Sequence, residues 1–143
     1  MRPAFRSVVP LVLTAVALAG GAAARERPQR DEPTPAERAG LDRALKGLVP
    51  GRASTCLNPS VARSASSHIY GPTIIYTVSS GLKYRTDTGV RCGRRGGPDT
   101  DVLVTNTPIG QNCAGDPVRV VDRTTGALSG VCNFGPFVPY RRP

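Results

Sequence analysis

Cysteine, histidine, carboxylate and arginine are the side chains in this sequence with chemistry to offer. Four cysteines, Cys56, Cys92, Cys113 and Cys132, lie in the C-terminal two-thirds of the chain. None forms a C-x-x-C pair, the close spacing that a zinc site uses, so no metal site is expected. An even number in a small exported domain reads as a disulfide framework. Four cysteines allow three connectivities, and spacing does not choose among them. The working assignment is Cys56–Cys113 with Cys92–Cys132, both joining segments remote in sequence.

His68 is the single histidine. A Ser-His-Asp hydrolase assembles in space, not in sequence, but no G-x-S-x-G nucleophile elbow occurs. Cys-His chemistry needs a free thiolate, which a paired set of cysteines does not supply. Glu37, Asp42, Asp87, Asp99, Asp101, Asp116 and Asp122 are the carboxylates beyond residue 33. Asp99-Thr100-Asp101 sets two on one side of an extended segment. That is too few oxygens for a calcium site without several more ligands, so these residues read as turn caps balancing Arg94 and Arg95. No catalytic residue, metal or cofactor is expected.

Arginine offers more. Arg91, Arg94 and Arg95 surround Cys92 among Gly93, Gly96 and Gly97. Glycines let backbone N–H groups converge on an anion, and guanidinium forks grip phosphate or carboxylate. The alternative is a solvated loop tethered by a disulfide. Arg141-Arg142 extends a basic patch or forms a soluble tail. Tyr76 and Tyr84, on neighbouring strands, form either a stacking platform for bases or cross-strand packing. No Walker or RNP motif is present.

The elements that must position these residues follow from patterning. Arg2 and Arg6 precede an apolar run from Val8 to Ala19, and Ala22-Ala23-Ala24 is a small-x-small cleavage site. Residues 1–24 read as a secretory signal peptide; the run is short of the roughly 20 apolar residues of a membrane span. The expected location is periplasmic or secreted, with no stable membrane insertion after cleavage. The chain carries a formal charge of +9; without Arg2 and Arg6, 9 − 2 = +7 remains. Such a balance suits polyanions, although these charges are scattered rather than striped.

Residues 25–33 are charged and Pro-containing and read as a flexible leader. A helix is expected over 34–50: Thr34 as N-cap, Pro35 at the first helical position, Glu37 completing a capping box, and Leu41, Leu45 and Leu48 on one face. Pro50-Gly51 should end it. Gly40 and Gly47 weaken it, so it docks on a sheet or stays a loose arm.

From residue 54 to 143 the period is two. Strands are expected near 54–57, 67–70, 73–78, 82–86, 102–105, 118–121 and 128–134, with turns at Asn58-Pro59, Gly71-Pro72 and Ser79-Ser80-Gly81. Thr73-Ile-Ile-Tyr-Thr-Val78 is the strongest strand signal. Leu82 and Tyr84 alternate with Lys83 and Arg85, giving one dry and one wet face. Residues 135–140 form an edge segment, because their prolines bar them from a sheet centre. Aromatics are only 5% of the chain and tryptophan is absent, so the core rests on Val, Ile and Leu. The expected fold is mainly β: a small antiparallel sheet or open barrel of five to six short strands with one N-terminal helix, braced by disulfides.

From Thr55-Cys56-Leu57 through Gly81-Leu82-Lys83-Tyr84, Asp101-Val102-Leu103-Val104-Thr105, Gln111-Asn112-Cys113 and Val118-Arg119-Val120-Val121-Asp122 to Phe134-Gly135-Pro136-Phe137-Val138-Pro139-Tyr140, the chain resembles an uncharacterised family of small exported cysteine-containing proteins of Gram-negative bacteria. The resemblance implies a periplasmic or secreted place and no assigned activity. Two function classes follow from the residues. One is a non-enzymatic structural domain that recognises an envelope component through a sheet edge. The other is a polyanion-binding module using Arg91, Arg94 and Arg95. A small hydrolase is the less favoured third; it requires a pocket that joins His68 to a carboxylate.

Overall fold

A computed structural model describes residues 31–94, 101–107 and 110–143. Residues 1–30, which hold the expected signal peptide and most of the expected leader, lie outside the described residues, as do Arg95 to Thr100, Pro108 and Ile109.

The first helix, α1 (Pro35–Leu45), begins as its residues dictate. Glu37 N–H donates to Thr34 Oγ1 at 3.2 Å, and Thr34 N–H donates to Glu37 Oε2 at 2.6 Å, closing the capping box. It ends earlier than Pro50. Lys46 is the C-cap, and Gly47 follows with φ +73°, a left-handed conformation that glycine enters without steric cost. The chain then extends, and Val49–Pro50 becomes strand β1.

Strand β2 (Cys56–Leu57) is followed by a second helix, α2 (Pro59–Ser64), in place of the turn expected at Asn58-Pro59. The residue types that mark a turn here act as a helix start. Asn58 Oδ1 accepts from Ser60 N–H at 2.9 Å, and Pro59 supplies the preset φ of the first position. Strands β3 (Ser66–Tyr70), β4 (Thr73–Ser79) and β5 (Leu82–Asp87) form an antiparallel meander. Then come β6 (Asp101–Thr105), β7 (Asn112–Cys113), β8 (Pro117–Asp122), β9 (Leu128–Asn133) and β10 (Phe137–Arg141).

The ten strands of the described residues make three antiparallel sheets: β1-β10-β5-β4-β3, β2-β7 and β6-β8-β9. The expected mainly β, disulfide-braced architecture is therefore the observed one, with further two-residue strands and a second helix. A further expectation is corrected, after the helix end and the Asn58-Pro59 turn. The segment containing Pro136 and Pro139 is not an edge, because β10 lies between β5 and the short β1. Pro139 is tolerated because its carbonyl, and hence its missing N–H, faces the β1 side, where it accepts from Gly51 N–H at 2.7 Å. The ladder to β5 loses no donor.

The core lies between the five-stranded and three-stranded sheets. Ile74 and Tyr76 of β4 and Phe137 of β10 meet Val118 and Val120 of β8, with Phe134 closing an aromatic cluster at ring-centroid distances of 5.3 and 6.3 Å. From α2, Val61 and Ala62 pack against it. Cys92–Cys132 is inside this core, and Cys56–Cys113 joins the directly opposed residues of β2 and β7 with Cα atoms 4.0 Å apart. Both bonds match the working assignment. Separations of 57 and 40 residues give each about 4 kcal/mol in the chain-entropy picture, a large share of the stability of so small a domain. Among the described residues no buried side-chain polar atom lacks a hydrogen-bond partner, and no helix is long and apolar enough to cross a membrane.

Candidate functional site

The face of β5 expected to be wet carries α1. Lys83 Nζ reaches up and donates to Ala44 O at 2.6 Å, meeting one of the last carbonyls of the helix, where the backbone dipole is negative. At the other end of α1, Arg91 holds Glu37. Its Nη1 donates to Glu37 Oε1 at 2.6 Å and its Nη2 to Glu37 Oε2 at 2.9 Å, a forked pair with the side chains only 9% and 15% exposed. Arg91 Nη2 also donates to Glu32 O, and its backbone N–H to Asp31 Oδ1. Burial alone would raise the Glu37 pKa. The Arg91 hydrogen bonds and charge, with those from Thr34, outweigh it and bring the carboxyl down to about 2. Between these two tethers the helix presses on β3: a Cβ on Gly40 would stand 2.7 Å from the Tyr70 ring. Gly40, a weakness for helix propensity, is what allows that approach.

A cleft of about 660 Å³ opens between α1, the free edge strand β3 and the start of β6. Its described basic lining residues are Arg43, Lys83, Arg91 and Arg94, with His68 beside them; its carboxylates are Glu37 and Asp101. His68 packs on Tyr70 with ring centroids 4.4 Å apart.

Of the three arginines singled out in the sequence, Arg91 is bound up in the Glu37 clasp and Arg95 lies outside the described residues. Arg94 remains 56% exposed at the cleft mouth while its Nη2 donates to Asp122 at 2.8 Å. Asp122 is held below the usual carboxylate range by backbone N–H bonds from Thr125 and Thr124, with Arg94 adding to them. Its acidic neighbour across the ladder, Asp101, accepts from Ser129 Oγ at 3.0 Å. Among the described residues no group of three or more His, Cys, Asp or Glu is placed to hold a metal. Tyr76 is core, with its hydroxyl bonded to Asn112, and so is not a stacking platform. Arg142 is pinned to the β4–β5 turn through Gly81 O and Ser80 Oγ.

Sequence reasoning does not find Arg43 and Lys83 as cleft residues. By pattern, Lys83 is a solvent-face lysine of a strand and Arg43 a helix-surface arginine. The available signal is the capping box itself: a well-started helix with three leucines has to dock, and its polar flank then meets a strand's wet face. Chemically, the cleft offers hydrogen-bond donors and positive charge. Glu37 is ionised at any physiological pH and accepts hydrogen bonds; it has no proton to give.

No protein-family description, no curated protein and no solved structure matches this chain.

Proposed function

We propose that the chain is an exported, non-enzymatic binding domain that takes an anionic group in the cleft beneath α1. The observation that carries this reading is the charge of the cleft: with Arg91 paired to Glu37 and Arg94 to Asp122, Arg43 and Lys83 remain against one further lining carboxylate, Asp101. Its volume suits a small ligand or one unit of a polymer, and low-dielectric walls concentrate the field of fixed charges. The two carboxylates that line the cleft with His68 accept structural bonds, Glu37 from Arg91 and Asp101 from Ser129. That supports binding over acid–base hydrolysis. Two disulfides suit an oxidising compartment, and with the signal-peptide pattern they support a periplasmic or secreted location.

Salt titration of heparin or single-stranded DNA binding tests the reading. The logarithm of the association constant should fall steeply with the logarithm of salt concentration. The double variant Arg43→Ala/Arg94→Ala should reduce that slope by about 1 for each guanidinium that had been neutralising a phosphate or sulfate. Arg119→Ala, on a different face, should not change it. Binding indifferent to salt, or an unaltered slope in the double variant, refutes an anion site here.

A further inference from the structure

A sheet face left to water usually alternates apolar-in with polar-out. The outer face of the three-stranded sheet breaks that rule. Register aligns Val104 with Arg119 and Arg119 with Val131, and likewise Val102 with Val121 and Val121 with Leu128. Their neighbours Val118, Val120 and Cys132 turn inward to the core. Five aliphatic side chains and one arginine therefore share the outward side. Val104, Leu128 and Val131 are 46%, 54% and 55% exposed. No lysine or carboxylate sits among them, and among the described residues no carboxylate pairs with Arg119.

We propose that this face docks a protein surface presenting a carboxylate ringed by aliphatic side chains. Arginine enriched and lysine and glutamate depleted, over an apolar patch, is the composition of an interface centre. The charge on Arg119 defines its complement: an acidic group, desolvated between valines, where the Arg fork binds it in two places. A second copy of this chain is disfavoured, because face-to-face stacking would bring Arg119 against Arg119. The area agrees. Three strands at about 4.8 Å spacing and about 3.4 Å per residue give a face near 14 by 20 Å, less than the roughly 800 Å² per side of a stable complex. The association is a reversible one. It is distinct from the cleft, whose lining takes only Asp101 from this sheet and none of these outward side chains.

Titration of the ¹⁵N-labelled oxidised protein with two soluble β-hairpins tests it. Both hairpins present a valine-rich face, one with a central glutamate and the other with a central lysine. The glutamate hairpin should perturb amide resonances of β6, β8 and β9 and bind at least about tenfold more tightly than the lysine hairpin. Arg119→Glu should reverse the preference, and Val131→Asp should abolish both interactions with the thermal midpoint unchanged. Perturbations confined to β3 and α1, equal affinity for the two hairpins, or no response would overturn the proposal. So would self-association in sedimentation that Val131→Asp reduces to monomer.

Discussion

Arg91 and Glu37, 54 residues apart in sequence, form the forked ion pair that fixes the N-terminal end of α1 to the rest of the domain. The pair unites two constraints: Glu37 is also the third helical residue, which closes the capping box, and Arg91 adjoins the disulfide-bonded Cys92. Helix initiation, helix docking and the covalent frame thus meet at one carboxylate.

Acid should loosen this joint. The Glu37 carboxyl titrates at about 2 in the folded protein against an ordinary 4.5. Its contribution is therefore fully present above pH 4.5 and fades as pH falls toward 2. Discounted for solvent screening, it amounts to about 1–2 kcal/mol. Glu37→Gln should be less stable than wild type near neutral pH, and the difference should shrink toward pH 2. Thermal melts across that range check it; parallel curves would show that the pair contributes nothing.

The disulfides should be separable by what each supports. Cys92→Ser/Cys132→Ser should cost up to about 4 kcal/mol and also raise hydrogen exchange in α1, because Arg91 loses its anchored neighbour. Cys56→Ser/Cys113→Ser should cost a similar amount and leave α1 protection as it is. Exchange mass spectrometry in non-reducing buffer distinguishes the two. Unchanged melting in both variants would deny the bonds a structural role.

Two glycines mark places where backbone meets backbone. A Cβ on Gly130 would fall 2.0 Å from Cys92 O, and one on Gly135 would fall 2.1 Å from Asp87 O. Neither neighbour is the end of a flexible side chain. Gly130→Ala and Gly135→Ala should each destabilise by about 3 kcal/mol or more. At Gly47 the space is open and only the left-handed φ opposes a side chain. Gly47→Ala should cost about 1–2 kcal/mol. Denaturant midpoints rank the three, and an equal loss at Gly47 would undo the packing argument.

Tyr76 should resist alkali. Burial pushes its pKa well above the usual tyrosine range, and the Asn112 hydrogen bond offsets only part of that. The stability this lends is complete below pH 10 and is lost as pH rises further, because unfolding then releases the proton. Absorbance titration of the four tyrosines should show one that ionises only with unfolding. Tyr76→Phe should remove that phase; its persistence would mean another ring is the buried one.

Local rules carry much of the fold into view. Thr34-Pro35-Ala36-Glu37 starts its helix as the residue types require, and Thr73 to Val78 is a strand on β-propensity alone. What stays hidden depends on partners. Pro139 argues against a sheet interior until its orientation toward β1 is known. Asn58-Pro59 reads as a turn, and the bond from Ser60 N–H to Asn58 makes it a helix start instead. The cleft is legible in part. Arg94 is at its mouth and His68 on its wall, but Arg91 reads as a ligand group until its acidic partner in α1 is placed. Lys83 shows its role only once a helix end is set above it.

The position of β10 has a consequence for biosynthesis. The ribosome makes this strand last of the ten described, yet it is flanked on both sides in the largest sheet and brings Phe137 to the centre of the molecule. Until residues 137–141 emerge, β5 has one bare margin and the hydrophobic interior lacks one of its large rings. The nascent chain therefore stays incomplete while the other nine strands are made, and the largest sheet closes only when β10 arrives.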